Sequence, residues 1–139
     1  MTTSIVKTAF FAADKETVWA FLTDKDKLGE WFYQGDENLS DGAKFTLYGK
    51  DDDGNKKKMV WGEVKKWNPF SELVHSFYIA PLEGSNSELR WLLEDVGNGT
   101  KLTLEHSGMS VEGEAFNLIM HLDTGWDKHL AALREAAGK

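Results

Sequence analysis

Apolar residues in the last part of the chain recur at helical spacing. Phe116, Ile119, Met120, Trp126, Leu130 and Leu133 fall on one stripe of a helix running from Phe116 to Ala137. Such a helix, about 25 residues or ~37 Å long, is the only element long enough to cross a whole sheet. Ser110 is placed to cap it, and Glu112 and Glu114 suit its positive N-terminal end. Gly125 interrupts the stripe beside Trp126. Glycine inside a helix costs roughly 1 kcal/mol relative to alanine. Two readings are open: close approach of a strand or ring to the helix axis, or a local bend that opens a gap.

Upstream the period is two. Ile5 to Ala12 reads as a strand rich in β-branched and aromatic residues. Asp14 then caps a helix whose Val18, Trp19, Phe21 and Leu22 share a face, and "KDKLGEWFY" forms a second short helix. From residue 43 alternation resumes: "AKFTLYG" and "KMVWGEVKKW" flank the turn "DDDGN", "NPFS" punctuates the next turn, and "ELVHSFYIA" is a strand. "SELRWLLEDV" and "TKLTLEHSG" pair around "GNG". Consecutive strands with short turns mean an antiparallel sheet. The order is strand, two short helices, five strands and one long helix. It predicts an α+β fold in a single domain spanning 1–139, with six antiparallel strands.

Parity sorts the last hairpin into a dry and a wet face. Leu89, Trp91 and Leu93 share a side, as do Leu102, Leu104 and His106, while Arg90, Glu94, Thr103 and Glu105 lie opposite. The dry face is where the long helix belongs. His75 shares parity with Leu73 and Phe77 and could join His106 there, but Val74 and Tyr78 on the alternate positions make the parity of this strand less decisive.

Composition narrows the function classes. The net charge of −7 repels a phosphate backbone, so no nucleic-acid partner is expected. Lys56, Lys57 and Lys58 follow Asp51, Asp52 and Asp53 and read as a solvated turn. Cysteine is absent, which excludes disulfides and thiolate metal sites and fits a reducing, cytoplasmic setting. Neither a secretory leader nor a membrane span is expected. Six tryptophans exceed what a tight small core needs and suggest a large core or an aromatic-lined cavity.

Searches for catalytic and metal motifs return little. The histidines lack ligand spacing, and no metal or cofactor is expected. "GKDDDGNKKKMV" imitates a calcium loop, but Gly49 and Val60 would stand where oxygen donors are required. "GNG" lacks the strand-to-helix setting of a phosphate loop, and no serine occupies a nucleophile elbow. His106 is the most informative polar residue: a satisfied core histidine, or a hydrogen-bonding group at a cavity wall. Glu63 and Asp123 are the carboxylates that an acid–base role for His106 would require. Asp123 could equally pair with Arg90 or cap a ligand hydroxyl, and solvated positions are the simpler expectation for both carboxylates.

The stretches "AADKETVWAFLTDKDKLGEWF", "GEVKKWNPFSELVHSF", "LEDVGNGTKLTLEHSG" and "GWDKHLAALRE" occur in an order that resembles the START-like, or SRPBCC, superfamily. More narrowly, they are similar to the proteins named after the activator of heat-shock protein 90 ATPase. The resemblance implies a helix-grip fold of the birch-pollen-allergen type, a curved sheet wrapped around the C-terminal helix with a cavity between them. It carries no shared catalytic motif. It implies either a small hydrophobic ligand (lipid, polyketide or flavonoid-like) or a protein partner such as a chaperone. The expected cavity residues are Phe32, Phe45, Trp61, Phe77, Trp91, Leu93, Leu104, His106, Met109, Phe116, Met120 and Trp126. Plain core is the simpler expectation for most of these rings, and methionine among them suits either a core or a tolerant pocket.

Overall fold

A computed structural model describes residues 1–138. Strand β1 (Thr2–Phe11) leads to helices α1 (Lys15–Thr23) and α2 (Lys25–Trp31), and then to strands β2 (Gln34–Gly35), β3 (Lys44–Lys50), β4 (Lys56–Asn68), β5 (Glu72–Ser76), β6 (Glu88–Val96) and β7 (Gly99–Ser110). The long helix α3 (Ala115–Ala137) closes the chain. All strands join one curved antiparallel sheet in the order β1-β7-β6-β5-β4-β3-β2. The sheet therefore has seven strands where six are expected. The extra one, β2, is two residues pairing Gln34 with Tyr48 and Gly35 with Leu47, too short to show alternation.

Local chemistry explains most boundaries. The Asp14 carboxylate accepts from the Thr17 amide at 2.8 Å and starts α1. Asp24 ends α1 and accepts from the Asp26 and Lys27 amides to start α2. β5 stops at Ser76, short of the expected "ELVHSFYIA". Beyond it only Tyr78 bridges Trp61, and the chain turns at Ala80–Leu82 around Pro81. Gly108 sits in the left-handed region at φ 82° beside the β1/β7 register shift, its α-carbon against the Asn86 carbonyl. A side chain there would strike backbone, so this bulge depends on glycine.

The expected cap of α3 is not found. Ser110 ends β7, and its hydroxyl accepts from the Glu112 amide at 3.2 Å. The helix begins after Glu114, which provides no side-chain cap. Its first amides instead bond three residues back, Ala115 to Glu112, Phe116 to Gly113 and Asn117 to Glu114, so no capping side chain is required.

α3 packs against β1 and β7 and against both short helices. Its buried stripe is Ile119, Trp126, Leu130, Leu133 and Ala137. Phe116 and Met120 were expected on that stripe but are 51% and 57% exposed. At roughly 100° per residue they lie about 60° and 100° around the helix from Ile119 and point past the sheet. Gly125 meets neither expectation of close packing: a Cβ there would have no heavy atom within 4 Å, and the helix runs on unbroken. Among the described residues no helix is long and apolar enough to cross a membrane.

Candidate functional site

The core contains a polar layer built from three neighbouring strands. Register aligns His75 of β5 with Leu89 of β6, and Leu89 with His106 of β7, so the two histidines stand in one row. Both are buried, His106 completely. The Trp91 indole donates to His75 Nε2 at 3.0 Å, and the Trp126 indole donates to His106 Nδ1 at 3.1 Å. An indole N–H only donates, so each of these ring nitrogens must be the unprotonated acceptor. The opposite nitrogens then carry the protons: His75 Nδ1 donates to the Ser76 carbonyl at 2.9 Å and His106 Nε2 to the Ser87 hydroxyl at 2.7 Å. Both histidines are neutral. Burial pushes each down to about 4, and for His106 the proximity of His75 adds to the effect. Among the described residues no buried side-chain polar atom lacks a partner.

This bonding pattern decides what the layer can do chemically. Ser87 and His106 are within the reach of a nucleophile and its base. The Trp126 donor, however, occupies the one lone pair of His106, and the proton on Nε2 faces Ser87, so His106 cannot draw a proton from that hydroxyl. The carboxylates weighed as its acid–base partners are elsewhere. Glu63 is exposed on the outer side of β4, with its amide held by the Ser76 hydroxyl at 2.8 Å. Asp123 pairs with Lys7 at 2.7 Å, and Asp127 joins the same lysine at 3.0 Å, while Arg90 pairs with Glu72 and Glu105. Among the described residues no three histidine or carboxylate side chains converge as metal ligands would.

Two spaces adjoin this layer. The inner one is small and apolar, only about 20 Å³, with walls that include Trp31, Phe32, Phe45, His75, Phe77 and Trp91. That is room for about one water. The outer one is an open groove of about 530 Å³ bordered by Gly29, Phe32, Tyr33, Tyr48, Gly49 and Lys50. Its volume lies in the range of small-molecule sites, roughly 300–1,000 Å³. Phe32 lines both spaces. It follows the last residue of α2, half-buried, stacked on Trp31 at 5.1 Å and Trp126 at 5.8 Å, with Tyr33 and His129 each 4.8 Å away.

The expected cavity residues thus separate. Phe32, Phe45, Phe77 and Trp91 line the inner space together. His106 and Trp126 stand in the layer behind Phe77, with ring centres 5.0 and 5.6 Å from it. Leu93, Leu104 and Met109 are buried core that does not border the space. Trp61 lies on the outer side of β4, half-buried under the Lys58 ammonium at 4.0 Å, because Val60, Gly62 and Val64 take the inward parity. Phe116 and Met120 are on the exposed side of α3.

Residues that strand parity missed include Trp31 and the groove tyrosines. Trp31 sits at the end of a seven-residue helix with no stripe to read, and its indole donates to the Phe21 carbonyl at 2.8 Å. Ser87 opens the expected strand "SELRWLLEDV" and shares the dry-face parity of Leu89 and Trp91, but nothing in the sequence singles it out. The pair Tyr33 and Tyr48 is created by the β2–β3 pairing, which alternation does not reveal.

A family model described as Activator of Hsp90 ATPase homolog 1-like protein matches residues 12–138. No curated protein matches the chain. Among solved structures it is similar to CalU16 from Micromonospora echinospora, 26% identical over 98% of this chain and 76% of that one, with a TM-score of 0.77. It is also similar to the Aha1 dimer from Colwellia psychrerythraea, 20% identical over 98% and 96% of the chains, with a TM-score of 0.78. DynU16, from the dynemicin biosynthetic locus, is 21% identical over 95% of this chain and 46% of its own, with a TM-score of 0.73. The last two likenesses concern the fold alone.

Proposed function

The chain belongs to the Activator of Hsp90 ATPase homolog 1-like family, and from that premise we propose that it is a ligand-binding START-like domain. It takes a small hydrophobic molecule between the short helices and the sheet, and not directly under α3 as the resemblance implies, since no α3 residue lines either space. The observation that supports this reading is the shared wall: Phe32 lines both an apolar space too small for a ligand and a groove of ligand size. Turning that ring outward would join the two. The incoming molecule would then meet Trp31, Phe77 and Trp91, which supply apolar contact, while the satisfied histidines behind them offer it no charge. This is a binding role in a cytoplasmic protein, with no cofactor and no acid–base step assigned to the chain.

Support also comes from where related folds occur, since DynU16 is named for a biosynthetic locus. Binding of a polyketide-like or other planar apolar compound suits that setting. The competing role, a chaperone-associated partner module, draws on the exposed pair Phe116 and Met120, one turn apart on α3. Other exposed apolar side chains, such as Val6, Phe10 and Val96, are on different elements.

An NMR titration of the 15N-labelled protein with naphthalene separates the two. The expected result is movement of the Trp91 and Trp126 indole signals, with tighter binding in Phe32→Ala. Unmoved indole signals in both proteins would remove the ligand reading. Loss of a captured chaperone on Phe116→Ser/Met120→Ser, with unmoved indoles, would favour the partner role.

A further inference from the structure

The groove outside Phe32 carries chemistry that the space behind it lacks. Tyr33 and Tyr48 are half-buried along it, and neither hydroxyl is hydrogen-bonded to another described residue. Gly49 lies beside the Tyr33 ring, where an added Cβ would touch the ring at 3.5 Å and press on the Met59 side chain at 2.9 Å. Two lysines border the groove across one β3–β4 pair, Lys50 and Lys56. They differ in electrostatic state. Lys56 lies 4.1 Å over the Tyr48 ring and pairs with Asp36 at 2.9 Å, so its charge is already answered. Lys50 forms no ion pair with any described carboxylate. Its neighbour Asp51 is turned into the loop, accepting from the Asp53 and Asn55 amides at 3.0 and 2.9 Å. The groove therefore presents the two tyrosine rings, one face of Tyr48 being covered by Lys56, two hydroxyls without partners among the described residues, the Lys56–Asp36 pair and one lysine without an ion pair, in a protein whose overall charge is −7.

Resting on the ligand-binding reading above, we propose that the ligand is an aromatic carboxylate. Its ring system lies between Tyr33 and Tyr48 with its leading edge at Phe32. Its carboxylate accepts from the Lys50 ammonium and from a tyrosine hydroxyl. Charge-assisted bonds of this kind are about twice as strong as neutral ones. The apolar edge explains the route past Phe32, and the anionic end stays at the groove mouth, where it remains partly solvated.

The test uses two probes of equal shape, 2-naphthoate and 2-naphthamide, titrated into the full-length protein and followed by calorimetry and by tyrosine and indole NMR signals. Naphthoate is expected to bind roughly five- to tenfold more tightly than the amide at low salt, a margin set by one partly exposed charged contact. Lys50→Gln should abolish that margin and leave the amide unchanged. Lys57→Gln, an exposed lysine outside the groove, should leave both unchanged. Raising the salt concentration should weaken the naphthoate only. Equal affinity for the two probes, with groove signals shifting, overturns the carboxylate assignment and leaves the ligand reading standing. An equal loss with Lys50→Gln and Lys57→Gln overturns it too, because general attraction would then account for the preference. Failure of both probes while naphthalene still binds overturns the inference alone, whereas failure of all three removes both readings.

Discussion

The two ends of the interior differ in how completely their polar groups are engaged. In the layer formed by β5, β6, β7 and α3, His75, His106, Trp91, Trp126 and Ser87 satisfy one another, and the side chains are locked in place. At the α2–β2–β3 end, Phe32 is half-buried, two tyrosine hydroxyls are unengaged by described residues and a groove of about 530 Å³ stands open. A polar network left partly satisfied in a core is costly, whereas one at a mouth is available to a ligand. The contrast assigns the first region to holding the fold and the second to recognition.

Acid should expose the difference most strongly. Each histidine titrates near 4 when folded against about 6.5 unfolded. Between those values the unfolded chain binds more protons, so their contribution is complete above pH 6.5 and is lost as pH falls toward 4. At 1.36 kcal/mol per unit the loss is about 3 kcal/mol for each histidine, a large share of a typical 5–15 kcal/mol stability. Urea unfolding measured from pH 7 to 4 should show it, with a shallower slope in His75→Gln/His106→Gln. A slope unchanged by that double variant would break the assignment.

Next in size is Trp126→Ala, expected to cost about 3–5 kcal/mol by creating a cavity and stripping His106 of its donor. Trp126→Phe keeps most of the volume and should cost about 1–3 kcal/mol for the orphaned nitrogen. Phe32→Ala, at the half-buried mouth, should cost only about 2 kcal/mol while strengthening uptake of naphthalene. If the two alanine variants were equally destabilised in thermal unfolding, the distinction between a fixed layer and a movable partition would fail.

The smallest effect has the opposite sign. Gly125→Ala meets open space and should stabilise the protein by up to about 1 kcal/mol, read as a higher urea midpoint. A lower midpoint would show that the glycine serves a conformation other than the straight helix.

How far the sequence revealed this arrangement follows from which forces leave a period. The β6–β7 hairpin and its dry face alternate cleanly because one side is buried, so Leu89, Trp91, Leu104 and His106 were legible by parity. His75 was less legible, because the apolar Val74 and Tyr78 alternate with Leu73, His75 and Phe77. The long helix was equally visible, yet its stripe was set too wide: hydropathy cannot tell that Phe116 and Met120 overhang the sheet near the helix start. Trp61 was misplaced because the parity of β4 is carried by two valines and a glycine, which advertise less than the tryptophan between them. The groove was hidden altogether, since it arises from a two-residue strand that brings Gln34 beside Tyr48.

A crystal structure of the protein soaked with naphthalene tests the central claim most directly. The account predicts the Phe32 ring swung outward, the ligand between Trp31, Phe77 and Trp91, and the His75–Trp91 and His106–Trp126 hydrogen bonds unbroken. A Phe32 ring still stacked on Trp126, with naphthalene bound elsewhere or the histidine bonds disrupted, would contradict it.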